Sequence, residues 1–110
     1  MEGNYSLEEK LDFIKIAILK YIPVRYIYLF GSHVYGDATS DSDIDIYAIA
    51  PDDFEEDMFL HGRICRELAN LKIYEIDLHI VNEGIFNKFK SLSRFENTIY
   101  MKGSVLYVAT

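Results

Sequence analysis

The chain has 110 residues, half of them hydrophobic and 15% aromatic, with a formal net charge of −7 and a single cysteine. That is a length for one core and the composition of a folded domain; the acidic balance argues against a non-specific nucleic-acid binder, whose footprint is a basic face. It does not exclude a triphosphate substrate, because divalent cations offset local negative charge.

Ser6 with Glu9 forms a capping box, and Leu7, Leu11, Ile14 and Ile18 follow at helical spacing, which predicts a helix over 7–21 stopped by Pro23. Arg25 to Phe30 is an aromatic and β-branched run and reads as a strand. Residues 31–42 are rich in Gly, Ser, Thr and Asp, a loop with room for one helical turn. A second strand is expected over 43–50. It places Asp43, Asp45, Tyr47 and Ile49 on one face and Ile44, Ile46, Ala48 and Ala50 on the other, helix-packed face.

Pro51 ends that strand, and Asp53 with Glu56 is expected to cap a second helix over 54–71 whose apolar stripe is Leu60, Ile64, Leu68 and Leu71. A third strand over 73–81 alternates Tyr74, Ile76, Leu78 and Ile80 against Glu75, Asp77 and His79. Asn82 is expected to cap a third helix carrying Ile85, Phe86, Phe89 and Leu92. Residues 93–101 read either as its continuation or as a second short helix; Lys102 and Gly103 then turn into a last strand over 104–108. Alternating helices and strands give an α/β (α+β) domain of three or four strands with helices packed on the sheet. A single domain over 1–110 is expected, without linker or repeat. The lone Cys65 rules out an internal disulfide, no apolar run approaches the ~20 residues that span a bilayer, and Met1 to Asn4 lack a leader's pattern. The expected setting is cytoplasmic, away from membranes.

The chemistry is concentrated where Leu29-Phe30-Gly31-Ser32 faces Asp43-Ile44-Asp45 across a polar loop. Residues two apart in a strand share a side, so Asp43 and Asp45 project together beside the turn that ends the preceding strand. Gly31 allows a sharp turn and close ligand approach, Ser32 adds a hydroxyl near exposed N–H groups, and Gly36 leaves room for a second approach. Ser42 stands before Asp43, either on the phosphate side or as a brace for the turn. Two hard oxygen ligands beside a phosphate cradle are what magnesium-dependent chemistry on a nucleoside triphosphate requires. If the second and third strands are neighbours, Asp77 completes a three-carboxylate cluster suited to two Mg2+ ions.

Gly31-Ser32, Gly36, Ser42-Asp43, Asp45 and Asp77 together resemble the signature of the DNA polymerase β-type nucleotidyltransferase superfamily. The short length is similar to its minimal nucleotidyltransferases (MNT), and the ending from Ile99 through Lys102-Gly103-Ser104-Val105-Leu106-Tyr107 resembles that group's closing helix, turn and strand. The resemblance implies the nucleotidyltransferase fold, a small mixed sheet with helices packed on it. It implies Ser32 on triphosphate oxygens, Asp43 and Asp45 on magnesium, and Asp77 as the third catalytic carboxylate. Where many relatives carry basic residues between the two glycines, this chain has His33 and Tyr35. The resemblance also implies transfer of a nucleoside monophosphate, AMP from ATP, to an acceptor hydroxyl. Such proteins often work beside a HEPN-type partner as the antitoxin of a toxin–antitoxin pair, in some cases transferring AMP to that partner. A homo-oligomer is the other candidate assembly.

Plainer readings stand beside these. Asp43 and Asp45 are read alternatively as edge-strand charges, and Glu75, Asp77 and His79 as the wet face of a strand. His33 is taken as a surface loop residue, the nine tyrosines as core and rim, and Lys88, Lys90 and Arg94 as a solvated face. Two other functions compete: an antitoxin that only binds its partner, with vestigial nucleotide chemistry, and an interaction domain with an acidic face.

Overall fold

A computed structural model of the chain describes residues 5–39 and 41–110. The amino-terminal four residues, read above for a leader, and Ser40 of the polar loop lie outside the described residues. The elements run α1 (Leu7–Tyr21), β1 (Tyr26–Phe30), α2 (Ser32–Tyr35), β2 (Ile44–Ala50), α3 (Leu60–Asn70), β3 (Ile76–Asn82), α4 (Glu83–Phe89), α5 (Arg94–Lys102) and β4 (Ser104–Val108).

The capping box forms as its spacing predicts. Ser6 Oγ accepts the Glu9 N–H at 3.1 Å while Glu9 Oε1 accepts the Ser6 N–H at 3.0 Å, and α1 runs to Tyr21, ahead of Pro23. The strands make one mixed sheet in the order β3-β2-β1-β4. β1 is antiparallel to both β2 and β4, and β2 is parallel to β3. A parallel pair needs a crossover, and α3 supplies it.

Both faces of the sheet are covered. On one, Ile14, Ala17 and Ile18 of α1 and Leu60, Ile64 and Leu68 of α3 pack on Ile27, Leu29, Ile44, Ile46, Ala48, Ala50 and Leu78. On the other, Phe86 of α4 and Ile99 of α5 pack on Tyr28, Phe30, Tyr47 and Ile49. Cover on both sides explains why β1 and β2 read as nearly unbroken apolar runs. It also makes Asp45, the one charged residue within β2, conspicuous. Among the described residues no helix is long and apolar enough to cross a membrane.

The second helix starts later than expected: α3 begins at Leu60, and Asp53 with Glu56 does not cap it. The acidic residues ahead of it are engaged elsewhere. Asp57 accepts the Phe59 N–H at 2.7 Å and pairs with Arg63 at 3.0 Å, while Asp52 accepts the Gly84 N–H at 2.6 Å, tying this loop to α4. The third strand begins at Ile76, leaving Tyr74 exposed before it. Asn82 occupies the N-cap position of α4 without a side-chain cap bond. That helix stops at Phe89, so Leu92 falls outside it, largely exposed, and residues 94–102 form the separate α5. Of the stripe expected on α4, only Phe86 is buried.

Lys10 on α1 pairs with Glu75 at the foot of β3, and that partner holds the Glu75 carboxyl below its usual range. A lowered carboxyl contributes stability above its ordinary pKa and loses it as pH falls through the lowered value. Lys10→Met is therefore expected to destabilise at neutral pH, the deficit narrowing as acidification takes the pH below the ordinary glutamate range, as read by urea unfolding. Ile46 is fully buried in the central strand, and Ile46→Ala is expected to cost about 2–5 kcal/mol in the same assay.

Candidate active site

β1 ends at Phe30, and Gly31 turns the chain with φ 78°, the left-handed region that favours glycine. The turn becomes α2, in which the Gly31 carbonyl accepts the N–H groups of Val34 and Tyr35 at 2.9 and 3.0 Å. A Cβ on Gly31 would lie 2.0 Å from Asp45 Oδ2, so the missing side chain is the space that the carboxylate occupies. Gly36 closes α2 in a left-handed conformation with open space around it, a backbone that favours glycine.

Asp45 pairs across the sheet with Phe30 on one side and Asp77 on the other. The strand neighbours on which the cluster was conditional are thus in place, with Asp45 and Asp77 directly abreast. Asp43 is exposed, one residue before β2. Partial burial pushes the Asp45 carboxyl above the ordinary aspartate value, and the Asp77 and then the Asp43 carboxylates push it further, against His79 and His33. Crowded carboxylates of this kind, all hard oxygen donors, favour a divalent cation. Among the described residues no three acidic, His or Cys side chains are grouped so that they could hold a metal ion. Magnesium does not demand such a group, since it keeps several waters and binds through one or two carboxylates plus substrate phosphates.

Ser32 opens α2 beside this face, half-buried. Ser42 serves the loop: its Oγ accepts the Thr39 N–H at 2.8 Å, and its carbonyl lies 3.3 Å from His33 Nε2. His33 therefore braces the loop and also bears on Asp45 electrostatically, more than a free surface residue would. Lys88 and Lys90 lie over the rings of Phe89 and Tyr100, and Arg94 is exposed, so this group stays on the solvent side.

Sequence reasoning missed the surroundings of Asp77. His79 Nε2 stands 3.4 Å from Asp77 Oδ2, and its ring packs against Phe30, Tyr47 and Phe95. Tyr47 is buried and donates to Glu96 Oε2 at 3.2 Å, which with burial drives its hydroxyl pKa far upward. From behind, His61 Nε2 meets the Leu78 carbonyl at 2.9 Å, anchoring β3 between Asp77 and His79. The sequence signal was the aromatic content of residues 86–100, unusable until α5 had a place in the fold.

The nucleotidyltransferase domain family model matches residues 8–104. A protein of Methanocaldococcus jannaschii, named for an inferred protein adenylyltransferase activity, is 34% identical over 84 residues, 76% of this chain and 79% of that one. The chain belongs to the nucleotidyltransferase family. A toxin–antitoxin crystal structure with AMP-PNP contains a chain of the same fold, with TM-score 0.64 and 24% identity over 91% of this chain and 74% of that one. A second is a chain from the complex of tri-AMPylated Shewanella oneidensis HEPN toxin with MNT antitoxin, with TM-score 0.59 and 22% identity over 93% of this chain and 72% of that one.

Gly31→Ala tests the turn. Its positive φ alone costs about 1–3 kcal/mol for a residue with a Cβ, and the methyl must also displace Asp45. The expected result is a loss of at least that size in urea unfolding.

Proposed function

We propose that this domain transfers AMP from ATP to an acceptor hydroxyl on a HEPN-type partner protein, with Asp43, Asp45 and Asp77 as its acidic machinery. The observation that carries the reading is the register of β2 and β3, which sets Asp45 and Asp77 abreast beside the Gly31 turn. Ser32 and the N–H groups of the turn hold triphosphate oxygens, with Gly31 and Gly36 shaping the loop and Ser42 holding it. Asp43 and Asp45 would hold two Mg2+ ions, with Asp77 available to the second. Magnesium there supplies charge neutralisation on the phosphates and a lowered pKa for the attacking hydroxyl. Asp77, steadied by His79, takes the acceptor proton. The acceptor oxygen bonds to the α-phosphorus, and the bond to the departing pyrophosphate breaks.

Support for ATP and for the partner comes from the named relatives: an adenylyltransferase by name, a toxin–antitoxin structure with AMP-PNP, and an AMPylated HEPN toxin. In this reading residues 1–110 belong to one nucleotidyltransferase domain, which acts in the cytoplasm. A binding-only antitoxin is the second reading; it draws on the open arrangement of the carboxylates and on a phosphate loop whose only ionisable base is His33.

The experiment is incubation of the chain, with its co-purified partner, in labelled ATP and magnesium. Label is expected to move to protein, and Asp43→Ala with Asp45→Ala is expected to cut transfer at least about a hundredfold, given the several kcal/mol a metal supplies. No transfer by the unaltered chain, with partner binding intact in the double variant, would establish the binding-only antitoxin.

A further inference from the structure

The rings beside the carboxylates do more than fill space. Along the site face, strand pairing sets side chains in rows: Phe30, Asp45 and Asp77 in one, then Tyr28, Tyr47 and His79 in the next. Phe95 of α5 lies 5.5 Å from Phe30, 5.5 Å from His79 and 6.0 Å from Tyr47, ring centre to ring centre. Its ring therefore straddles the two rows and walls the space next to Asp45. Each of the three supporting rings comes from a different strand, so the position of Phe95 is set by the sheet. Tyr47 beneath it is buried and tied to Glu96, the neighbour of Phe95 on α5, which fixes the helix as well. Yet Phe95 remains 42% exposed.

A large ring held in place from below and left open above is a stacking platform waiting for a flat partner. Successive rows on one face are roughly 6.6 Å apart, a span that a sugar bridges between a phosphate and its base. Building on the triphosphate site argued above, we propose that Phe95 is the shelf on which the nucleobase stacks while the α-phosphate lies at Asp45 and Asp77. Specificity then rests on ring area more than on hydrogen-bond readout, so a purine is held better than a pyrimidine.

Calorimetry on the full chain with magnesium separates the parts, using inorganic tripolyphosphate, ATP and CTP as probes. Unaltered protein is expected to bind ATP about fivefold or more tighter than tripolyphosphate, since base stacking on an aromatic ring is worth at least that factor. CTP is expected between the two. Phe95→Ala is expected to erase the ATP advantage and leave tripolyphosphate affinity unchanged. Phe95→Leu, which keeps the apolar packing, should lose it equally, and Phe95→Tyr should restore it. Should Phe95→Ala fail to fold, the Leu and Tyr variants decide. An unchanged ratio of ATP to tripolyphosphate affinity in Phe95→Leu overturns the shelf and leaves the triphosphate site standing. Failure of the unaltered chain to bind either probe removes both.

Discussion

The parallel pairing of β2 with β3 is the constraint on which the rest depends. It aligns Ile44 with Ile76, Ile46 with Leu78 and Asp45 with Asp77 in a single register. A slip of one residue would turn every side chain of a strand to the opposite face, carrying the carboxylates under α1 and α3 and the isoleucines onto the site face. The apolar residues between the acids therefore enforce the placement of the acids. Ile44 and Ile46 are fully buried, and they bracket Asp45. The geometry of the site is a by-product of core packing.

That dependence explains what could be read without coordinates. The first helix and the last strand were legible to the residue, because their limits are set by local chemistry: a reciprocal cap at Ser6 and Glu9, a proline, and the Lys102-Gly103 turn. The start of α3 was not, because Asp52, Asp53, Glu56 and Asp57 look alike as cap candidates until their partners are known. Only the fold shows that Asp57 serves Phe59 and Arg63 while Asp52 reaches Gly84, thirty-two positions away. The apolar alternation through Tyr74 likewise overstated β3, since periodicity persists past the point where pairing begins.

At the site, the acidic residues and Gly31 announced themselves because each violates its surroundings. A carboxylate inside a buried strand and a residue without a side chain at a strand end both cost stability unless something requires them. The structure adds that these two anomalies are one: Asp45 fills the volume that Gly31 vacates. His79, Phe95 and Tyr47 gave no such signal, being ordinary residues for a strand or an amphipathic helix. Their importance arises from three strands and α5 meeting at one point.

The two helical layers differ greatly in what fastens them. The α1–α3 side carries most of the fully buried aliphatic residues, whereas the α4–α5 side is held mainly through Phe86 and Ile99. The carboxylates project from the sheet toward the lighter layer, so the side that borders the site is the one with less apolar packing behind it.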